Sequence, residues 1–337
     1  MSQPSAAEPL VSGLATSIGS LPHVDPAAAA SMVLRCHPLL PAAPQLPHRT
    51  PYEGMVAQWA GALPEVHVEP DGSLLVDRAI VDDACVATLD ERAHAGLLSF
   101  VDAAAASDVP PRRIKVQLTG PLTLGMALHA AGMPADRAFE RGAAAARSWV
   151  GAIESLVAER LPDTPMLLVF DEPALVAWRL DTAPIERELA TDLLSSVLAV
   201  PTGTVGVHVC GAGDRRLAFE AGPKVLAFEV RPDLVDDADV ISRHLEADGW
   251  IAWGAVPTDR PVGESAEPLW RALVEVWCEL TKRGCDPVRL RTNAIVTPAC
   301  GLAGHGPSQA ERALRLAHEM ADRVHSQTVA ARLTVGA

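Results

Sequence analysis

A short apolar or β-branched run, a turn, and then a longer segment of helical character recur along almost the whole chain. The runs fall at 14–20, 44–47, 114–120, 166–171, 204–210, 224–230, 250–256 and 292–297. Between them lie stretches rich in Ala, Leu, Glu and Arg, among them 135–159, 185–198, 264–283 and 308–332. Strand followed by helix, repeated, predicts a parallel sheet with crossover helices. Eight runs are what a (β/α)8 TIM barrel requires, and this α/β fold is expected as a single domain over 1–337. An open doubly wound sheet is the alternative. No G-x-G-x-x-G or Walker loop follows any run, so dinucleotide and nucleotide sites lose ground.

The stretch from about 63 to 111 breaks the rhythm. Val66-His67-Val68-Glu69 and Leu74-Leu75-Val76 flank Pro70-Asp71-Gly72-Ser73, which reads as a β-hairpin with glycine in its turn. A helix over about 89–105 follows, and the whole reads as an insertion after the second strand.

With 49% hydrophobic and 21% charged residues among 337, the chain can bury a large core. Its net charge of −14 and lack of a basic run argue against nucleic acid and anionic membranes as partners. No apolar stretch nears the roughly 18 residues of a spanning helix. Residues 1–8 lack the basic-then-apolar layout of a signal peptide. Six cysteines in so long a chain are not a disulfide framework. A cytoplasmic enzyme is expected.

In a barrel of this kind chemistry sits at the C-terminal ends of the strands. Here those ends are polar: Ser17-Ile18-Gly19-Ser20, Gln117-Leu118-Thr119-Gly120-Pro121, Phe170-Asp171-Glu172-Pro173, His208-Val209-Cys210-Gly211, Phe228-Glu229 and Pro298-Ala299-Cys300-Gly301. His208 and Cys210 stand two apart on a strand, so they share a face. Alone, such a pair more often marks packing than ligation. Glu229, ending the next strand, and Cys300, just past the last, complete a Cys2HisGlu set of donors suited to zinc. Cys36, Cys85, Cys278 and Cys285 have no such placement and read as packing or surface residues. Asp171 and Glu172 put two carboxylates at one strand mouth, where capping of the next helix competes with a functional anion. The turn 17–20 is either an ordinary turn or a cradle of amides and hydroxyls for a carboxylate. In one pocket, cradle and Asp171 would form a receptor for a zwitterion, with a metal between them acting on a side chain.

Taken in order, these motifs resemble the C-terminal catalytic barrel of cobalamin-independent methionine synthase, within the superfamily that also holds uroporphyrinogen decarboxylase. The motifs are Thr16-Ser17-Ile18-Gly19-Ser20, Leu118-Thr119-Gly120-Pro121, Asp171-Glu172-Pro173-Ala174, His208-Val209-Cys210, Val225-Leu226-Ala227-Phe228-Glu229 and Pro298-Ala299-Cys300-Gly301-Leu302. Their span is most of the chain. The resemblance implies a zinc-dependent methyltransferase that makes methionine from homocysteine. It implies that His208, Cys210, Glu229 and Cys300 bind the catalytic Zn2+, and that Ile18, Gly19, Ser20 and Asp171 hold homocysteine. Glu53, in Tyr52-Glu53-Gly54-Met55-Val56, is similar to an acidic residue that helps bind the amino acid.

Two departures concern the methyl donor. The full-length family has a second, N-terminal barrel that shares in binding polyglutamylated folate, whereas one barrel is expected here. The family also keeps a histidine after the seventh strand as proton donor, and Gly254-Ala255-Val256-Pro257-Thr258-Asp259-Arg260 has none. Asp259 is the substitute acid to expect, although an ordinary Asp, with a pKa of about 3.9, is a poor acid at neutral pH. A methyl-corrinoid donor, free or on a corrinoid protein, is therefore expected ahead of methyl-tetrahydrofolate.

A free thiol has a pKa near 8.5, and coordination to Zn2+ ionises it at neutral pH. No nucleophilic residue of the protein is then needed, which fits the lack of a Ser–His or Cys–His motif. Glu229 reads as the labile ligand that leaves as homocysteine enters. The alternatives are methyl transfer from a corrinoid to another thiol, and a zinc-binding or corrinoid-partner module without catalysis. Uroporphyrinogen decarboxylase is disfavoured, because an anionic tetrapyrrole wants clustered Arg at the mouth and the zinc set would have no use.

Overall fold

The computed structural model describes residues 9–80, 84–178 and 182–335. In chain order the strands are β1 (Leu14–Ala15), β2 (Val66–Val68), β3 (Leu74–Val76), β4 (Ile114–Thr119), β5 (Met166–Asp171), β6 (Thr204–Val209), β7 (Val225–Glu229), β8 (Trp250–Val256) and β9 (Ala294–Pro298). Seven of them form one parallel sheet in the order β1-β9-β8-β7-β6-β5-β4. Each falls within one of the runs expected from the sequence or overlaps it.

The run expected at 44–47 lies a few residues earlier and is not a regular strand. Ala42 bridges Lys115 and Gln45 bridges Ser20, both in parallel. The Ala43 amide donates to the Lys115 carbonyl (2.8 Å) and the Lys115 amide to that of Pro41 (2.9 Å). On the other side the Gln45 amide donates to the Gly19 carbonyl (3.0 Å) and the Leu21 amide to that of Gln45 (2.9 Å). Residues 41–45 therefore touch both edges of the seven-stranded sheet. Pro41, Pro44 and Pro47 have no amide hydrogen, so a continuous ladder cannot form there.

Every residue of β4, β5 and β9 is buried, the mark of parallel strands covered on both faces. Side chains alternate in direction along a strand. Leu167, Val169, Val225, Ala227, Ala252 and Ile295 pack together on one face. Leu168, Phe170, Leu226 and Phe228 join the larger core beneath the helices. A cavity of about 10 Å3, room for about one water, is lined at once by Thr16 and Ile18 past β1, by Lys115 and Gln117 of β4, and by His208 of β6. Residues from both edges of the sheet meet there, so the sheet curls around its first face. Asp171 is in step with Leu167 and Val169 and faces inward with them; Glu172 comes one residue later and turns the other way.

The expected hairpin is present: β2 and β3 pair antiparallel with Val66 opposite Val76, and Gly72 takes the positive φ of +85° that its turn requires. Arg141, on the helix Ala135–Arg160, donates to both carboxylate oxygens of Glu65 (2.6 and 2.9 Å) and ties the start of β2 to the body. The expected helix is Glu91–Ala105, with Asp90 accepting from the Ala93 amide at its N-terminus (2.8 Å). It packs against the helices Pro26–Cys36 and Ala135–Arg160, where a crossover between residues 41–45 and β4 belongs. Within 63–111 the hairpin is thus what departs from the strand–helix alternation. Among the described residues no helix is long and apolar enough to cross a membrane.

Candidate metal centre

His208 is in β6, Cys210 just past it, and Cys300 just past β9. One ligand atom from each lies within 4.8 Å of the other two. His208 is buried, and its ring nitrogens have no oxygen or nitrogen partner, with the Cys300 thiol as the neighbouring polar group. Leaving a buried polar group unmatched costs about 1–3 kcal/mol, so two on one ring indicate a partner still to come. Cys210 and Cys300 are half-buried free thiols that interact directly. The hydrogen bond from Cys210 holds the Cys300 thiol well below the usual thiol range, with His208 adding to it. That same bond, with burial, pushes Cys210 up. Two cysteine sulfurs and an imidazole form a donor set with the chemistry of zinc.

Glu229 stands at the end of β7, but its carboxylate is not part of this cluster. It is 26% exposed and pairs with Arg231 at 3.4 Å. Arg231 in turn holds Asp233 at 2.9 Å. An exposed pair of this kind contributes about 0–1 kcal/mol, so it is readily broken.

The adjacent carboxylates of 171 and 172 have separate fates. Asp171 is buried on the enclosed face and accepts a hydrogen bond from Gln117 Nε2. Burial pushes its carboxyl up, opposed by His208, Lys115 and the bond from Gln117. Glu172 faces outward and accepts from the Leu122 amide (2.9 Å), the Thr123 amide (2.8 Å) and the Thr123 hydroxyl (2.7 Å). It caps the helix Pro121–Ala130. Gly120 must be glycine for this, since a Cβ there would lie 2.2 Å from a Glu172 oxygen.

In the turn after β1, Gly19 has a φ of +131° and a Cβ on it would sit 3.1 Å from Gln45 Oε1. Among the described residues the amides of Ile18, Gly19 and Ser20 donate to no protein acceptor. The Ser20 hydroxyl donates to Gln45 Oε1 (3.4 Å). Glu53 is buried, and its carboxylate is already engaged by Arg49 Nε (2.5 Å) and the Leu46 amide (3.0 Å). Asp259 is 70% exposed and lies 4.0 Å from its neighbour Arg260.

No family model matches the chain, and no curated protein sequence matches it. Solved structures do. A B12-independent methionine synthase from Shewanella sp. W3-18-1, in complex with selenomethionine, superposes with a TM-score of 0.65 over 95% of this chain and 99% of that one, at 14% identity. A methyltransferase from Methanosarcina mazei gives 0.59 over 93% and 95% at 15% identity. A candidate vitamin-B12-independent methionine synthase from Listeria monocytogenes gives 0.57 over 89% and 85% at 12% identity. The chain has the fold of the B12-independent methionine synthases.

Within this methionine-synthase-like fold, three polar positions escaped the sequence reading. Lys115 is buried and donates through Nζ to the carbonyls of Ser17 (2.8 Å) and Ile18 (3.1 Å) and to Gln117 Oε1. Burial pushes its ammonium down, opposed by Asp171. Gln45 Nε2 donates to the Gln117 carbonyl (3.1 Å). The signal was present in Ile-Lys-Val-Gln-Leu-Thr, where Lys115 and Gln117 are polar in step inside an otherwise apolar strand. His305, on the loop after β9, meets the Thr258 carbonyl at 3.1 Å, in the loop after β8 that itself has no histidine.

Proposed function

We propose that this protein is a zinc-dependent methyltransferase that moves a methyl group to the thiol of homocysteine, forming methionine. The observation that carries the reading is the convergence of His208, Cys210 and Cys300 at strand ends, with His208 otherwise unpartnered. Three protein donors and an open position are the plan of a catalytic zinc site. Zinc held there supplies Lewis acidity that keeps a substrate thiol ionised at neutral pH. Glu229, at the end of the neighbouring strand and paired here with Arg231, would supply the fourth, labile donor.

The protein's own groups orient the amino acid. The unpartnered amides of Ile18 and Gly19, with Ser20, receive its carboxylate, and Asp171 receives its ammonium. Glu53, fixed by Arg49 and the Leu46 amide, acts on the amino-acid site through the loop it shapes. A methionine analogue bound to the Shewanella protein of the same fold supports an amino-acid pocket here. The bridges made by residues 41–45 support a single closed (β/α)8 barrel, with the hairpin as its insertion. Six cysteines, of which none is paired, suit the reducing cytoplasm.

The donor is a methyl-corrinoid, free or protein-bound, ahead of methyl-tetrahydrofolate. Folate leaves as an amine that must be protonated, whereas a corrinoid leaves as cob(I)alamin without a proton from the enzyme. Asp259 is the acid to consider for a folate route, but it is 70% exposed and its charged neighbour is Arg260. Methionine formation from homocysteine, tested with methyl-folates, methylcobalamin and a methylated corrinoid protein singly, decides the reading. No methionine with any of them would refute it.

A further inference from the structure

We infer that Lys115 is a positioning residue that sets both ends of the amino-acid pocket, aiming the Ile18 and Gly19 amides at a carboxylate and holding Asp171, through Gln117, against an ammonium. The inference rests on the amino-acid reading above.

Lys115 is buried beside Leu167, Val169, Val225 and Ala227, with Thr16, Gln117 and His208 also lining the enclosed space. A buried ammonium among such neighbours costs several kcal/mol unless its donors are matched. It has three donors, and three acceptors take them: the carbonyls of Ser17 and Ile18 and the Gln117 amide oxygen. With none left over, Lys115 acts on its neighbours and not on a ligand.

Its effect on the turn follows from peptide geometry. In a planar trans peptide the N–H points opposite to the C=O. Drawing the Ser17 and Ile18 carbonyls toward Lys115 turns the Ile18 and Gly19 amides away from it, and these are the amides with no protein acceptor. Gln45 holds the next carbonyl, that of Gly19, and so orients the Ser20 amide in the same manner. Successive free amides form a concave anion site.

The other end depends on which way one side-chain amide points. Gln117 offers an oxygen and an NH2 group, and Lys115 can only donate. The oxygen must therefore face Lys115, which obliges the NH2 to face Asp171. Gln45 pins the Gln117 main chain from behind. One cation thus fixes the donor end and the acceptor end together.

Three thiols separate the contributions on zinc-loaded protein by calorimetry. Homocysteine has both charges, 4-mercaptobutyrate lacks the ammonium, and 1-propanethiol lacks both. Wild type should prefer homocysteine to propanethiol. Lys115→Met should shrink that preference by at least about tenfold, the loss of one charge-assisted contact, with zinc content and propanethiol affinity unchanged. Gln117→Leu should weaken homocysteine and leave 4-mercaptobutyrate unaffected, and it decides the matter if Lys115→Met does not unfold cooperatively. A preference within about twofold of wild type in the folded variants, well under that contact's worth, overturns the role of Lys115 alone. A wild type that does not distinguish homocysteine from propanethiol overturns the amino-acid reading itself.

Discussion

Two polar clusters meet at the strand ends, and they are completed to different degrees. Around Lys115 the donors and acceptors match: three acceptors for its ammonium, a fixed amide in Gln117, a hydrogen bond into Asp171. Around His208 they do not, since neither ring nitrogen has an oxygen or nitrogen partner and the nearest polar groups are the two thiols. Folded cores rarely leave buried polar groups unmatched. The cluster around Lys115 is braced to hold the turn amides and Asp171 in place, and the one around His208 leaves donor atoms for a further ligand. A substrate that needs both would be held by the first and activated at the second.

The largest expected effect removes the unsaturated side. Cys300→Ser should strip most of the about one zinc per chain that a single such site holds, and abolish methyl transfer. Glu229→Gln should be milder, because that carboxylate lies outside the three-residue cluster. Full metal content in Cys300→Ser, read by elemental analysis, would refute the assignment.

Asp171→Asn probes the saturated side without touching the metal. Loss of the ion facing the ammonium should weaken homocysteine about ten- to a hundredfold, corresponding to about 1.5–3 kcal/mol, with zinc unchanged. Calorimetry showing an equal fall in zinc content would merge the two clusters into one.

The donor should have a smaller consequence. Methylcobalamin or a methylated corrinoid protein should outpace methyl-tetrahydrofolate by about tenfold, near 1.4 kcal/mol in barrier. Brisk turnover with methyl-folate reverses this. Its loss in Asp259→Asn would make Asp259 the acid, and its loss in His305→Gln would assign the proton to the histidine beside Thr258.

Glu172→Ala should have the least effect on the site. Removing the cap of Pro121–Ala130 should lower stability by about 1–3 kcal/mol, seen in thermal melts, while homocysteine affinity stays put. A changed affinity would show that the outward carboxylate also serves the pocket.

Much of this was legible in the residues. The strand–helix recurrence located seven strands, because parallel strands buried on both faces read as unbroken apolar runs. The run at 44–47 was less clear, since its prolines permit bridges and not a ladder. Spacing by two placed His208 with Cys210, but no spacing shows that Arg231 takes Glu229. Nor could the sequence tell which of Asp171 and Glu172 faces inward without knowing where β5 sits in its pleat. Lys115 was missed for a related reason. A single lysine in a strand usually marks an exposed face, and only the curl of the sheet encloses this one.

X-ray absorption at the zinc edge, with and without homocysteine, counts the sulfurs on the metal and so shows whether the substrate thiol joins them. Two sulfur neighbours are expected in the resting zinc-loaded protein, from Cys210 and Cys300, and a third when homocysteine is added. A sulfur count that does not change at saturating homocysteine would contradict thiol coordination.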